Sequence, residues 1–511
     1  MGCDDHGTAA LYGCGANTDR STLHRPFPDR SCLHGSGTTS CGGTMSHPAL
    51  RISDMSIKDK SGVLLVDRVC FSVERGGAFV LIGETGSGKS LVAQAVLGLL
   101  PAGLIVSGQI ECDGEMVNLA DRAALRSHWT HQLALVPQEP RSALDPTMRI
   151  LPQIAGIAQQ HRARAAMSSV SLHHTVERQY PFMLSGGMAQ RVLVAGALTT
   201  DARVIIADEP TKGLDDDRVE EAVLRLRQIQ EHGRAVFAIT HDIRVALGLG
   251  GQLAVMRDGQ LLEQGPVHNL ISAPRHAYTR AWLGADPDRW QARKASTSVD
   301  PVLEARSLSY RVGSRTLFSD LSVRLHHGSI TAVIGPSGSG KTMLGNVLLG
   351  LARPIAGSVR WKDGTDPHFV RRPSLRAQYQ KLHQDPASAF VPGRVIRQQF
   401  IDLSSVLPSG YMERDLPPLL ERLGINPGLL DRRPDEVSGG QLQRIAIARL
   451  LLFEPLLLVA DEPTSRLDPL VQREVMELLQ ELVNERGMAL LITSHDRRLV
   501  RAVAYDVIEL G

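Results

Sequence analysis

The sequence predicts an α/β protein in which one domain of about 250 residues occurs twice. Four motifs recur along the chain with a nearly constant separation of about 253 residues. Within each copy, short apolar runs alternate with stretches of helical periodicity, which is typical of a largely parallel sheet covered by helices. A polar segment rich in serine and threonine, with a proline near each end, separates the two copies.

The four motifs keep both their order and their spacing in the two halves of the chain. A duplicated domain explains this regularity, whereas chance matches would not keep it. The pairs are GETGSGKS at 83–90 with GPSGSGKT at 335–342, LSGGMAQR at 184–191 with VSGGQLQR at 437–444, VIIADEP at 204–210 with LLVADEP at 457–463, and His241 with His495.

The repeat predicts the domain boundaries. We expect a first domain over 45–285, a linker over 286–301 and a second domain over 302–511. Residues 1–44 are expected to be a disordered extension or a segment read from too early a start, with Met45 as the true initiator. A small metal-binding or disulfide-linked extension is the alternative, because four cysteines fall before residue 45. The six cysteines form no C-x-x-C pair, which disfavours a zinc site; they are Cys3, Cys14, Cys32, Cys41, Cys70 and Cys112.

Apolar runs and helical periodicity predict the main elements of each copy. The apolar runs precede each phosphate-type loop and each acidic pair, as buried parallel strands would. The predicted strands are Ala78–Ile82, Val204–Ala207, Ile330–Ile334 and Leu456–Ala460, and the predicted helices include Leu91–Leu100 and Val219–Glu231.

Composition and charge exclude several classes of function. Basic residues number 56 and acidic residues 54, so the formal net charge of +2 gives no support for a broad nucleic-acid surface. The longest apolar stretches, Ala95–Val106 and Leu450–Ala460, are too short for a bilayer, which needs about 20 apolar residues. If the protein acts at a membrane, its partners must supply the membrane-spanning helices.

Two loops of the form G-x-x-x-x-G-K-[ST] predict two nucleotide sites. Each follows an apolar strand and precedes an apolar helix, which is the context the P-loop needs to wrap phosphates with backbone N–H groups. Lys89 and Lys341 should reach the phosphates, and Ser90 and Thr342 should bind Mg²⁺. The predicted ATP-binding residues of these loops are Gly83, Glu84, Thr85, Gly86, Ser87, Gly88, Lys89 and Ser90, with Gly335, Pro336, Ser337, Gly338, Ser339, Gly340, Lys341 and Thr342.

Two acids end an apolar strand in each copy. The carboxyl ends of parallel strands face the ligand crevice, so these acids should meet the P-loop. We expect Asp208 and Asp461 on the Mg²⁺ side and Glu209 and Glu462 to orient or deprotonate the attacking water.

The sequence from about residue 45 onward resembles the ABC ATPase family. The motif that carries the resemblance is Ser-Gly-Gly followed by Gln-Arg, which ordinary P-loop proteins lack. In the family each cassette has a mainly parallel sheet core, an antiparallel β subdomain and an α-helical subdomain. The signature of one cassette closes over the nucleotide of the opposite cassette. The resemblance therefore implies two composite ATP sites and pairing of the two cassettes within one chain; the signature residues are Ser185, Gly186, Gly187, Ser438, Gly439 and Gly440.

Other motifs of the family match single residues of this sequence. Gln138 and Gln384 match the Q-loop, which contacts Mg²⁺ and the permease, and Leu214-Asp215 and Leu467-Asp468 match the D-loop. His241 and His495 match the switch histidine and join Glu209 and Glu462 as the implied catalytic residues.

One position differs between the copies. Tyr310 stands where the family places an aromatic residue that stacks on adenine, whereas the first copy has Ile57. The resemblance implies ATP and Mg²⁺ as cofactors of two hydrolytic sites, and the first site is expected to bind the base more weakly, with an aliphatic contact in place of stacking.

A narrower resemblance is to importers of oligopeptides, dipeptides and nickel. PQEPRSALDP at 137–146, QDPASAFVP at 384–392 and the tail PRHAYTR at 274–280 carry it, and the second copy stops at Gly511 without such a tail. It implies an ATPase that energises import of peptides, nickel or opine-like metal chelates. The implied partners are two polytopic inner-membrane permeases and a periplasmic or lipid-anchored solute-binding protein, with the chain peripheral on the cytoplasmic face and no nucleic acid bound.

Rival functions have weaker support in the sequence. A tandem cassette protein acting on ribosomes or DNA would carry a long charged linker or zinc modules, and the sequence has a short linker and no zinc-type cysteine pairs. The importer-type tail disfavours an exporter. A scaffold that does not hydrolyse ATP should lack a P-loop lysine or a catalytic glutamate, and both copies have both.

Overall fold

The computed structural model describes residues 47–128, 132–137, 143–155, 160–212, 214, 216–290, 300–336, 338–464 and 467–511. The predicted extension over 1–44 and most of the predicted linker lie outside these ranges, and both are still predictions. In this described part of the chain, none of the helices combines the length and the apolar character needed to cross a membrane.

Cassette 1, the copy that begins at residue 47, contains two sheets. Its strands are β1 Leu50–Lys58, β2 Leu64–Val73, β3 Ala78–Gly83, β4 Ile105–Cys112, β5 Glu115–Asn118, β6 Leu133–Val136, β7 Val204–Asp208, β8 Ala235–Ile239, β9 Gln252–Arg257 and β10 Gln260–Pro266. An antiparallel sheet has the order β2-β1-β4-β5, and the core sheet has the order β10-β9-β3-β8-β7-β6. The core sheet is parallel except for β10, which pairs antiparallel with β9.

Cassette 2, the copy over 301–511, repeats this plan with fewer strands. Its strands are β11 Pro301–Val312, β12 Arg315–His326, β13 Ile330–Ile334, β14 Ala356–Trp361, β15 Tyr379–Leu382, β16 Leu457–Asp461, β17 Ala489–Thr493 and β18 Asp506–Glu509. The antiparallel sheet has the order β12-β11-β14 and the parallel core sheet the order β15-β16-β17-β13-β18. The predicted class, two P-loop domains with a mainly parallel core and an antiparallel subdomain, is confirmed.

Helices cover the core sheets and form a helical subdomain in each cassette. Those of cassette 1 are α1 Lys89–Val96, α2 Arg122–His128, α3 Ile150–Ala155, α4 Gln160–Ser169, α5 Gly186–Thr199, α6 Asp216–Glu231, α7 Ile243–Leu249, α8 Val267–Ser272 and α9 Ala277–Gly284. Those of cassette 2 are α10 Lys341–Leu348, α11 Pro373–Ala377, α12 Ile396–Ile401, α13 Tyr411–Arg414, α14 Leu416–Arg422, α15 Gly439–Leu451, α16 Pro469–Arg486 and α17 Arg497–Val503.

The central strands form because their residues are apolar on both faces. Every residue of β13 and of β16 is buried, as is expected of a parallel strand with helices above and below. Strand β16 nevertheless ends in the buried acid Asp461, one residue beyond the predicted apolar run. The strand thus delivers a carboxylate to the edge of the sheet.

Two helices differ from their predicted bounds. Helix α1 was expected to reach Leu100 but ends at Val96, because Gly98 takes a left-handed conformation with φ of 63° and turns the chain. Helix α6 begins at Asp216, three residues before the predicted start at Val219, since its first turn is polar and carries no apolar period.

The two cassettes contact each other through side chains near the predicted linker. Leu470 of α16 packs against the core of cassette 1, and Trp290 packs against the core of cassette 2. The first residues of the predicted linker are ordered, since Pro287–Arg289 forms a single 3-10 turn with Asp286 as its cap. These contacts hold the end of cassette 1 against cassette 2.

Candidate nucleotide-binding and hydrolysis sites

Each P-loop leaves its strand through a glycine that has no room for a side chain. A Cβ atom on Gly83 would lie 2.1 Å from the Met256 carbonyl oxygen, and one on Gly335 would lie 2.3 Å from the Leu510 carbonyl oxygen. Both distances are far below van der Waals contact. Only glycine therefore lets the loop start beside the neighbouring strand.

The P-loop lysines are buried and folded onto their own loops. Lys89 Nζ donates to the carbonyl oxygens of Gly83 and Glu84 at 2.8 and 2.7 Å. Lys341 Nζ donates to those of Gly335 and Pro336 at 2.7 and 3.0 Å. Burial lowers the pKa of Lys89. Each loop thus holds an amine inside the ring of backbone that would surround the phosphates.

The hydroxyl after each lysine faces the acid at the end of a core strand. Ser90 Oγ lies 3.4 Å from Asp208 Oδ1, and Thr342 Oγ1 lies 3.1 Å from Asp461 Oδ1. Hydroxyl and carboxylate oxygens are the hard ligands that Mg²⁺ takes together with substrate phosphates. The donor sets of both cassettes therefore fit Mg²⁺, which when bound would neutralise charge on the phosphates.

The Mg²⁺-side acids have different surroundings. Burial raises the pKa of Asp208, and the neighbouring Glu209 raises it further. Asp461 instead accepts a 2.6 Å hydrogen bond from Thr493 Oγ1 and lies 3.6 Å from Lys381 Nζ. The second site therefore has a cation beside its acid.

The lysine at this second acid has an apolar counterpart in cassette 1. In the core sheets, Lys381 pairs with Val459 and Leu135 pairs with Ile206. Val459 and Ile206 each precede their Asp by two residues, so Lys381 and Leu135 occupy equivalent positions. Sequence reasoning missed this difference, because only the strand register aligns the two positions.

In each cassette, the predicted catalytic glutamate lies beside the predicted switch histidine. His241 Nδ1 is 2.9 Å from Glu209 Oε2, and His495 Nδ1 is 3.2 Å from Glu462 Oε1. Burial would raise the pKa of Glu209, but the contact with His241 and the positive charges of His241, Lys89 and Lys212 together outweigh burial and hold the pKa below its usual value. The carboxylate is therefore ionised at neutral pH and able to accept a proton from water.

The glutamates in turn change the pKa values of the two histidines. Burial would lower the pKa of His241, but the contact with Glu209 and the negative charges of Glu209 and Asp242 together outweigh burial and raise the pKa above its usual value. The hydrogen bond with Glu462 likewise raises the pKa of His495, against the effect of burial. Both switches therefore favour the protonated imidazole.

Both glutamates have a left-handed backbone, with φ of 48° at Glu209 and 46° at Glu462. This conformation is uncommon outside glycine and asparagine and turns the chain sharply at the end of the strand. The turn is fixed by backbone bonds, since Glu209 N donates to Ile239 O at 2.8 Å and Glu462 N to Thr493 O at 3.1 Å. The strain is shared by both sites.

The predicted Q-loop glutamine of cassette 2 bonds directly to the predicted catalytic acid. Gln384 Nε2 donates to Glu462 Oε2 at 2.6 Å, so Glu462 is held by its glutamine and its histidine together. Its counterpart Gln138, together with Ser337 of the second P-loop and Asp215 of the first D-loop, lies outside the described residues. Their predicted roles are still predictions.

The signature serines stand at the starts of long helices. Ser185 caps α5 and its Oγ accepts from Met188 N at 3.3 Å, while Ser438 N donates to Gln441 Oε1 at 3.4 Å at the start of α15. Sequence reasoning missed the role of the signature glutamines: Gln190 bonds to Pro210 O, and Gln443 bonds to Pro463 O at 3.0 Å. The contacts described here join each signature to its own cassette, and pairing with the opposite P-loop is still a prediction.

The two predicted adenine-stacking positions differ in their burial as well as in their residue type. Tyr310 is half-buried, with its ring 5.9 Å from that of Phe318. Ile57 has no exposed surface and belongs to the core of cassette 1. The expectation that Ile57 makes an aliphatic contact with the base is therefore not met in this conformation.

The tail of cassette 1 approaches the first P-loop through Arg257 of β9, which sequence reasoning did not anticipate. Arg257 Nε lies 3.3 Å from Glu84 Oε1, and the Arg257 guanidinium lies 4.8 Å from the centre of the Tyr278 ring. Burial raises the pKa of Glu84, and Arg257 offsets part of this effect. Tyr278 in turn lies beside Trp282, at a ring separation of 6.0 Å.

Residues of both cassettes meet around a cavity of about 110 Å³. His241 lines it from cassette 1, and Glu462 and His495 line it from cassette 2, together with Trp282 of the tail. The structure thus brings the two switch histidines to one interface.

Comparisons with known proteins agree with this geometry. A family model described as ABC transporter matches residues 66–212 and again residues 318–465. The peptidoglycan transport ATP-binding protein YejF of Agrobacterium fabrum is 34% identical over 503 residues, which cover 91% of this chain and 91% of that protein. The glutathione import ATP-binding protein GsiA of Escherichia coli K12 is 31% identical over 533 residues, which cover 91% of this chain and 84% of that protein.

Solved structures share the tandem fold. The archaeal ribosome recycling factor aABCE1, in complex with the ribosomal stalk protein aP1, aligns with a TM-score of 0.61 at 21% identity and covers 89% of this chain and 87% of its own. At such an identity the likeness concerns the fold alone. The family match and the relatives carry the assignment: this chain is an ATPase of the ABC transporter family, with two ATP-binding cassettes in one polypeptide.

Proposed function

We propose that this chain is the ATP-hydrolysing subunit of an importer for peptides or peptide-like molecules. The observation that carries the proposal is the similarity, over 91% of both chains, to an ATP-binding protein of peptidoglycan transport. A second relative is named for glutathione import, and both of these cargoes contain peptide bonds. The two complete sets of lysine, aspartate, glutamate and histidine support hydrolysis in both cassettes.

Nickel and opine-like metal chelates are the other cargo classes that the sequence resemblance implies. The relatives named above favour peptides over these. The cargo itself would pass through the permeases, so no residue of this chain is expected to contact it.

In the proposed cycle, ATP binding closes the two cassettes. The first P-loop would meet the signature at 438–440, and the second P-loop would meet the signature at 185–187. Glu209 and Glu462 would then take a proton from the attacking water, and loss of the γ-phosphate would reopen the pair. The higher affinity of the closed state for ATP is what drives the change.

A groove in cassette 2 suits a helix of a permease. It has a volume of about 420 Å³ and lies between β15, α15 and the 3-10 turn that follows the Q-loop. Leu351, Leu403 and Phe453 line it, and Leu351 is exposed. His383 lines the groove and directly precedes Gln384, so a helix bound there could be displaced when the residue that holds Glu462 moves.

The proposed assembly contains this chain on the cytoplasmic face of the inner membrane. Two polytopic permease subunits would carry the cargo, and a periplasmic or lipid-anchored solute-binding protein would deliver it. No nucleic acid is expected to bind.

Affinity purification of the tagged, full-length chain from solubilised native membranes tests the partners. We expect two polytopic permeases and a solute-binding protein to co-purify. The binding protein is then mixed with a tripeptide, with Ni²⁺ alone or with an opine-type nickel chelate, and binding is measured by calorimetry.

The outcomes separate the alternatives. Tripeptide binding supports the proposal, whereas binding of Ni²⁺ or its chelate alone moves the cargo to the metal class. Recovery of ribosomal proteins or DNA without permeases would contradict an importer.

A further inference from the structure

Two arginines occupy equivalent positions after the switch histidines but have different partners. Arg244 follows His241 by three residues, and Arg498 follows His495 by three residues. Arg244 Nη2 lies 2.7 Å from Asp242 Oδ2, and Arg498 Nη2 lies 3.5 Å from Asp496 Oδ2. This much is common to both cassettes.

The difference lies in the second acid that each arginine meets. Arg244 Nη1 lies 2.7 Å from Asp216 Oδ1, within cassette 1. The position equivalent to Asp216 is Pro469, since each is the first residue of the helix after its D-loop. Arg498 pairs instead with Asp286, the first residue of the predicted linker, at 3.2 Å.

The other oxygen of Asp216 crosses to cassette 2. Asp216 Oδ2 accepts a 2.9 Å hydrogen bond from Arg497 N, the first backbone amide of α17. Amides in the first turn of a helix lack partners within the helix. Asp496 takes the next two, those of Arg498 and Leu499, at 2.8 and 3.1 Å, so Asp216 completes the cap from the other cassette.

The equivalent hydrogen bond from cassette 1 to a side chain at position 469 of cassette 2 cannot form. The amide equivalent to Arg497 N is that of Ile243 in cassette 1, and the equivalent acceptor position is Pro469. The proline side chain has no hydrogen-bond acceptor. The bridge therefore runs in one direction only, from the D-loop helix of cassette 1 to the switch of cassette 2.

We propose that Asp216 is a positioning residue that couples the two ATP sites, by tying helix α6 of cassette 1 to the segment that carries His495. Its two oxygens fix the distance between Arg244, beside the first switch, and Arg497, two residues after the second switch histidine. Asp216 is 21% exposed and Arg244 26%, so solvent screens this charge-assisted contact only in part. This coupling acts on ATP hydrolysis and does not depend on which cargo is carried.

The hydrogen bond can be removed from either side in the full-length chain. Asp216→Asn weakens the acceptor, and Arg497→Pro removes the donor at the first helical position, where proline is well tolerated. We expect each variant to lower kcat for ATP about three- to tenfold with little change in KM, and to bring the Hill coefficient for ATP towards 1.

Two matched controls separate coupling from loss of structure. Arg497→Ala keeps the amide but loses the 3.1 Å contact of the side chain with Glu509, and Glu220→Gln changes an exposed charge on α6. Both controls should retain the wild-type kcat and Hill coefficient.

Two results would overturn the proposal. One is that Arg497→Ala is as damaging as Arg497→Pro, which would assign the effect to the side chain. The other is that Asp216→Asn and Arg497→Pro both fold, judged by an unchanged melting temperature, and still turn over ATP like the wild type. If one of the two variants fails to fold, the other decides the question.

Discussion

The two cassettes share a catalytic set but differ in what surrounds it. In cassette 2, Glu462 is held by Gln384 and His495, and Asp461 by Thr493 and Lys381. Tyr310 offers a half-buried aromatic ring, where cassette 1 has only a core isoleucine. In cassette 1, Arg257 links Tyr278 of the tail to Glu84 of the P-loop. Asp286, beyond the tail, pairs with Arg498 of α17 in cassette 2. Duplication has thus preserved the set of predicted catalytic residues while the residues around that set have diverged.

The largest effect on ATP hydrolysis is expected from replacing the glutamate that both cassettes share. Replacing both Glu209 and Glu462 by Gln removes the proton acceptor from both sites while keeping their shape. Turnover should fall at least about 100-fold, and ATP should still bind. Steady-state hydrolysis and binding of a fluorescent ATP analogue measure the two effects; hydrolysis that persists in the double variant would remove both glutamates from the mechanism.

Tyr310, whose counterpart in cassette 1 is Ile57, should make ATP affinity depend on the residue at this position in cassette 2 only. Tyr310→Ala removes a stacking surface worth about 1–3 kcal/mol, so the Kd for ATP at the second site should rise about tenfold. Ile57→Val is the matched change in cassette 1. It should cost about 1 kcal/mol of stability and leave ATP affinity unaltered, because Ile57 is buried.

Isothermal titration and thermal melting distinguish these two outcomes. A change in ATP affinity caused by Ile57→Val would mean that the isoleucine contacts the base after all. A Tyr310→Ala variant with wild-type affinity would remove the tyrosine from base recognition.

Lys381, beside Asp461, should make Mg²⁺ binding differ between the two cassettes. Lys381→Leu installs the residue that cassette 1 has at the equivalent position. Removing a positive charge 3.6 Å from Asp461 should strengthen Mg²⁺ binding there, and the Mg²⁺ concentration for half-maximal hydrolysis should fall about threefold. Leu135→Met, a neutral change at the cassette 1 position, should leave it unchanged, and an increase with Lys381→Leu would show that the lysine assists metal binding.

The smallest effect is a pH dependence of stability without nucleotide. The hydrogen bond with Glu462 raises the pKa of His495 above its ordinary 6.5. The stability that this histidine contributes is therefore complete below pH 6.5 and is lost as the pH rises through the raised pKa. Between pH 6.5 and 9, the melting temperature should fall less in His495→Gln than in the wild type; parallel curves would contradict the ion pair.

Much of this account could be predicted from local sequence. The P-loops, the strands before them and the acidic pairs are short motifs whose chemistry depends on neighbouring residues, so Lys89, Asp208 and Glu209 lie where the pattern indicated. The start of α6 was missed because its first turn is polar, and a helical period cannot be read from polar residues alone.

The contacts that differ between the cassettes could not be predicted in this way. Lys381 meets Asp461 through strand register, and Asp216 meets Arg497 across 281 residues of chain. Such pairs depend on how elements pack, and no spacing in one sequence encodes them. The left-handed backbone of Glu209 is likewise set by a bond to the neighbouring strand.

Peptide uptake by living cells tests whether the two cassettes of this chain hydrolyse ATP to drive an importer. A strain lacking the gene is supplied with the wild-type chain or with the variant that carries Gln at both Glu209 and Glu462, and accumulation of a radiolabelled tripeptide is measured. We expect uptake to be lost in the deletion strain, restored by the wild type and not restored by the double variant. Equal uptake with and without the gene, or full restoration by the double variant, would contradict it.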